Sequence, residues 1–133
     1  LLLFDVDHFK ETNDRFGHGI GDLLLEKLAT TVTNLLPEEA LLARIGGEEF
    51  CLLLPLATLA ETEQWAKRLC QECNQQTLYT NNSVVTLSIS TGAVWVAANR
   101  EADADHLLRQ ADALMYQAKG RGRNTWQAAS YQA

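Results

Sequence analysis

The chain has 133 residues, 47% of them hydrophobic, with a formal net charge of −6 and a pI near 4.9. This length suits one domain that buries about two thirds of its unfolded surface, while the acidic balance excludes broad electrostatic binding of DNA or RNA, which needs many cations on phosphates. No apolar stretch approaches the roughly 20 residues of a membrane span, no cleavable leader is visible, and the odd set Cys51, Cys70 and Cys73 suits reduced thiols rather than a disulfide framework.

In chain order, the apolar run Leu1-Leu2-Leu3-Phe4 predicts a buried strand that delivers Asp5-Val6-Asp7 to a sheet edge. Phe9 to Phe16 suits a short helix interrupted by Gly17 and Gly19, after which Ile20, Leu23, Leu24, Leu28, Val32 and Leu35 share one face of a second helix that stops at Pro37. Leu41–Ile45 and Phe50–Leu54 flank Gly46-Gly47-Glu48-Glu49, which predicts two strands around a glycine turn. Leu59, Ala66, Leu69, Cys70 and Cys73 predict a third helix between the Pro55 turn and Asn74-Gln75-Gln76. Cys70 and Cys73 have the spacing of a metal or redox pair, but no second ligand pair follows, so core packing is the expectation. Val85, Leu87 and Ile89 alternate with polar residues, and Gly92 is read as a break before Ala93–Val96, both strands joining the same sheet. A last helix starts at an Asp103 cap and runs through Leu107, Leu108, Ala111, Leu114, Met115 and Ala118, with a short strand near Thr125-Trp126-Gln127. This order approximates a split βαβ-βαβ pattern, an α+β class with an antiparallel-rich sheet and helices on one face.

Two adjacent carboxylates at a turn repel each other, so Glu48 and Glu49 point to a nearby cation, and Asp5 at a strand end adds a third hard oxygen donor. Such donors favour Mg²⁺ or Mn²⁺. Gly46 and Gly47 satisfy the turn and also let a phosphate or nucleotide approach the backbone. Taken singly, Asp5 reads as a solvated strand end, Glu48-Glu49 as a solvated turn, Asn13 as a helix end and Asp22 as a helix start.

The motifs combine in one order. Phe4-Asp5-Val6-Asp7-His8-Phe9-Lys10, Asn13-Asp14, Phe16-Gly17-His18, Gly21-Asp22, Gly46-Gly47-Glu48-Glu49-Phe50, Tyr116-Gln117-Ala118-Lys119 and Gly122-Arg123-Asn124 together resemble, almost end to end, the GGDEF family of diguanylate cyclases. The resemblance implies a palm-type fold, ferredoxin-like and nucleotide-cyclase-like, with an antiparallel-rich central sheet flanked by helices. It makes residues 1–133 a catalytic domain that condenses two GTP into cyclic di-GMP and two pyrophosphates across a homodimer, without contact to nucleic acid or membrane. Members usually begin with a helix and an Asp-x-Leu-Thr-Gly-Leu-x-Asn-Arg segment that is absent here, so a truncated piece is expected, with an upstream sensory or dimerising domain missing. The expected location is cytoplasmic, alone or as the cytoplasmic part of a larger membrane-anchored protein. The alternative from another class is a catalytically silent GTP-binding or dimerisation module.

By the same resemblance, the Asp5 and Glu48 side chains and the Val6 carbonyl hold Mg²⁺ or Mn²⁺, and Glu49 either assists a second ion or deprotonates the 3′-hydroxyl. Lys10, Lys119 and Arg123 meet phosphates, Asn13 and Asp22 read the guanine edge, and Phe9, His18, Gly46 and Gly47 complete the nucleotide contacts. Asp7 is left out of the site, because strand alternation is read as turning it away from Asp5. Arg44 is assigned to supporting the strand or its carboxylates. The family's inhibitory Arg-x-x-Asp pattern aligns with Pro37-Glu38-Glu39-Ala40, which lacks both charges, so no product inhibition through that primary site is expected.

Overall fold

A computed structural model describes residues 1–133 and gives the order β1 (Leu2–Val6), α1 (Phe9–Phe16), α2 (His18–Leu35), β2 (Leu41–Arg44), β3 (Glu49–Leu53), α3 (Leu59–Asn74), β4 (Thr77–Tyr79), β5 (Val84–Thr86), β6 (Ile89–Trp95), α4 (Ala104–Gly120) and β7 (Trp126–Ser130). The main sheet runs β2-β3-β1-β6-β7, with β1 antiparallel to both neighbours and β7 parallel to β6. The α+β class and the antiparallel-rich sheet flanked by helices are as expected.

The helices do not share one face, and this corrects the expectation. Leu2, Phe4 and Val6 of β1 pack with Leu24, Leu25, Leu28 and Val32 of α2 and Ala66, Leu69, Cys70 and Cys73 of α3. Leu3 points the other way and packs with Val94 and with Ala111 and Met115 of α4. All five β1 residues are buried because each face of the strand is covered by a helical layer. Leu25, not Leu23, completes the inward face of α2; Leu23 is exposed.

Gly92 is not a break but the middle of β6, which runs unbroken from Ile89 to Trp95. A Cβ there would lie 2.0 Å from the Ala111 carbonyl oxygen and 2.4 Å from the Met115 nitrogen. Glycine is present because the α4 backbone rests directly on the strand. The second strand pair is likewise split between sheets, since β5 joins β4 in a separate two-stranded ribbon while β6 enters the main sheet. Thr58 caps α3 by accepting from the Glu61 amide, and Asp103 caps α4 by accepting from the His106 amide, as its type predicts.

Cys70 and Cys73 are buried in the core beneath α3, as expected. Burial pushes the Cys70 thiol up to about 11 and the Cys73 thiol to about 12. At pH 8 roughly one Cys70 in a thousand is a thiolate, so neither should react rapidly with iodoacetamide until the protein unfolds. Alkylation followed by peptide mass mapping checks this; rapid native labelling at Cys73 would contradict it.

Candidate functional site

The β1–β3 register sets Asp5 directly opposite Glu49, and the β1–β6 register sets Ser90 on the other flank of Asp5. Alternation places Asp5 on the same face as Leu3, toward α4. Lys119 in the last turn of that helix reaches across, its Nζ 2.6 Å from Asp5 Oδ2 in the molecule's one salt bridge. The other Asp5 oxygen, Oδ1, is buried with no hydrogen-bond partner. Burial raises the Asp5 carboxyl above its ordinary value, Lys119 opposes this, and Glu48 and Asp7 add to the rise. Glu49 is also raised, first by burial and then by Asp112 and Asp5, with Lys119 again opposing.

The turn between β2 and β3 delivers Glu48 and Glu49, both half-buried. Arg44 donates from Nε to the Gly47 carbonyl at 2.9 Å and to that of Gly46 at 3.3 Å, so it supports the turn through backbone oxygens rather than carboxylates. The Val6 amide donates to the Glu48 carbonyl at 3.3 Å, joining the strand end to the turn. Asp5, Val6, Glu48 and Glu49 are therefore brought together at one end of the sheet. No three acidic, histidine or cysteine side chains close into a ready-made cage. The donor set nevertheless fits a hard divalent cation, because it offers carboxylates and carbonyls only, and the orphaned Asp5 Oδ1 is a buried acceptor that a cation would satisfy.

A second cluster lies on α1 and α2. Asn13 projects against Gly21, where an added Cβ would sit 1.8 Å from Asn13 Oδ1 and 3.2 Å from the Phe9 ring. Asn13 Oδ1 is the other buried polar atom without a partner. Asp22, exposed on the next position of α2, borders an open cleft of about 530 Å³ lined also by Leu25, Glu26, Ala29, Leu42, Arg44 and Phe50. Phe9, Asn13 and Gly21 are thus assembled. Lys10, His18 and Arg123 are exposed, and Gly46 and Gly47 lie open in the turn.

Two acidic residues escaped the sequence reading. Asp7 does not turn away from Asp5, which corrects the expectation: positions two apart share a strand face, and Asp7 adds to the rise of the Asp5 carboxyl. It is buried and accepts from the Ser88 and Ser90 hydroxyls and from the Asn124 amide. Asp112 raises Glu49 from α4, and its spacing of two helical turns from Lys119 was the available signal.

A family model described as "Diguanylate cyclase, GGDEF domain" matches residues 1–125. The chain is 33% identical over 125 residues to diguanylate cyclase VdcA of Vibrio cholerae, covering 93% of this chain and 37% of that protein. It spans about a third of the length of the curated relatives it matches first. Among solved structures, the active GGEEF domain of a diguanylate cyclase from Vibrio cholerae superposes with a TM-score of 0.81 at 26% identity, over 99% of this chain and 81% of that one. The GGDEF domain of DgcB from Caulobacter crescentus reaches 0.85 at 24% identity, over 99% and 74% respectively, which speaks for the shared fold.

Proposed function

We propose that this chain, which belongs to the GGDEF family of diguanylate cyclases, forms one half-site of an enzyme that condenses two GTP into cyclic di-GMP. The observation that carries the reading is the meeting of Asp5, Glu48, Glu49 and Lys119 at the end of β1 and β3. Asp5, Glu48 and the Val6 carbonyl would hold Mg²⁺ or Mn²⁺, with Glu49 assisting a second ion or acting as base. Bound there, the metal supplies charge neutralisation at the phosphates and at the attacking and leaving oxygens.

The residues then divide the work. Asn13 and Asp22 orient guanine, whose N1–H and amino group are donors that adenine lacks as a pair. Phe9 and His18 flank the nucleotide, and the bare Gly46-Gly47 backbone lets its phosphates come close. Lys10, Lys119 and Arg123 hold phosphate oxygens. In the base role Glu49 accepts the 3′-hydroxyl proton as that oxygen attacks the α-phosphorus of the facing GTP; the bond to the β-phosphate breaks and pyrophosphate leaves. The reciprocal step closes the ring and releases the second pyrophosphate. Because each chain holds one GTP, two copies must face one another, and a dimerising segment in a longer protein would set how often they do.

The test is incubation of GTP and Mg²⁺ with the domain fused to a constitutive dimeriser, beside a Glu48→Ala, Glu49→Ala control, with products identified by mass spectrometry. Cyclic di-GMP from the parent alone is expected. Nucleotide binding without product would assign the chain to the silent regulatory class. A further expectation concerns Gly21→Ala: the new methyl must displace the Asn13 amide, so affinity for α,β-methylene GTP should fall about tenfold, the size of one lost hydrogen bond. Calorimetric titration measures it, and unchanged affinity would remove Asn13 from guanine recognition.

A further inference from the structure

Asp7 is a buried carboxylate that the proposed chemistry does not use. Its Oδ2 accepts from the Ser88 hydroxyl at 2.7 Å and from the Asn124 backbone amide at 2.8 Å, while Oδ1 accepts from the hydroxyl of Ser90, which is itself fully buried. The Asp7 amide also donates to the Ser88 carbonyl at 2.9 Å. Two hydroxyls from the β6 side therefore fix the plane of the carboxylate, and its remaining capacity is spent on the loop that leaves α4.

That loop has an unfavourable backbone. Gly122, Arg123 and Asn124 follow one another at φ of 106°, 63° and 47°. Two of the three carry side chains in the left-handed region, a conformation that persists only where surrounding contacts impose it. The amides of Arg121, Gly122 and Arg123 all turn back onto α4, to the carbonyls of Gln117, Lys119 and Ala118. The Asn124 amide alone leaves the helix, and it goes to Asp7. Beside the Lys119–Asp5 salt bridge, this bond is the tie between the turn that follows α4 and the end of β1, so Arg123 is held to the segment carrying Asp5 through it.

We propose that Asp7 is a positioning residue: by holding the Asn124 amide it keeps the left-handed Gly122-Arg123-Asn124 turn in place and thereby aims Arg123 at the phosphates of the bound nucleotide. The proposal rests on the reading of Arg123 as a phosphate contact. Asparagine at position 7 would preserve the clamp, since its carbonyl oxygen can accept from Ser88 and Asn124 while its amide donates to the Ser90 hydroxyl. Alanine removes it.

The experiment titrates α,β-methylene GTP, which cannot react, into the parent, Asp7→Ala, Asp7→Asn, Arg123→Ala and the Asp7→Ala, Arg123→Ala double variant, with amide hydrogen exchange followed at Asn124. Asp7→Ala and Arg123→Ala should each weaken binding about tenfold, as expected for one charge-assisted contact. The double variant should lose no more than the weaker single, Asp7→Asn should stay within about twofold of the parent, and the Asn124 amide should lose protection in the two variants that carry Asp7→Ala and in no other. Should that variant fail to fold, Asp7→Ser, too short to reach the Asn124 amide, answers the same question. Parent-like affinity in Asp7→Ala beside a weakened Arg123→Ala would overturn the proposal, as would losses that multiply in the double variant, the result of a merely structural role. Parent-like affinity in Arg123→Ala would instead overturn the phosphate reading of Arg123, and with it the premise.

Discussion

Replacing Glu49 with Gln should slow cyclic di-GMP formation by about 10²- to 10⁴-fold, the usual contribution of a positioned general base. Glu49 faces Asp5 across the β1–β3 ladder, and burial, Asp112 and Asp5 together raise its carboxyl above the ordinary range. Glutamine keeps the shape but cannot take the proton. The fold should not change, because what Glu49 contributes to the turn is its backbone carbonyl, which accepts from the Ile45 amide at 2.9 Å and that of Gly46 at 3.4 Å. A melting temperature at or above the parent's, since glutamine removes a charge that burial and Asp5 oppose, with the rate lost is the expected pair of results. A fully active Glu49→Gln enzyme would remove the role.

Gly92→Ala should be the most damaging of the glycine-to-alanine changes. At 2.0 Å from the Ala111 oxygen and 2.4 Å from the Met115 nitrogen, the added carbon meets backbone on two successive turns of α4. No rotamer change relieves it; the helix must lift from β6. Overpacking of this kind costs about 3 kcal/mol or more, which for a domain of this size lowers the melting temperature by about 10 °C. Lifting α4 also draws Lys119 away from Asp5, so the salt bridge and the site should loosen together. Thermal unfolding followed by circular dichroism measures the first effect, and a variant melting within 2 °C of the parent, a margin of about half a kcal/mol, would show that the contact is soft.

Legible in the sequence alone was the local structure. The Asp103 cap, the glycine turn between β2 and β3 and the apolar face of α3 follow from residue type and spacing, and the structure has each of them. Asp5 and the Glu48-Glu49 turn were legible as one carboxylate site from residue type and motif order, whereas the pairing that sets Asp5 opposite Glu49 needs β1 and β3 to be neighbours, which the fold supplies. What was missed depends on partners distant in sequence. Gly92 looks like a break until α4 is seen lying on it, and β4 has three residues, too few to show a period. Other misses had signals in reach. The unbroken run of Leu2, Leu3 and Phe4 is itself the mark of a strand covered on both faces, and the spacing of Asp5 and Asp7 puts them on one side of it.

The central claim is that two copies, each holding one GTP, make the product together. The most direct measurement is the specific activity of the isolated domain with GTP and Mg²⁺ as a function of its own concentration, counting cyclic di-GMP and pyrophosphate. The account predicts specific activity that rises with protein concentration toward that of the dimeriser fusion, with two pyrophosphates released per cyclic product. Specific activity independent of concentration, or no product from the fusion itself, would contradict it.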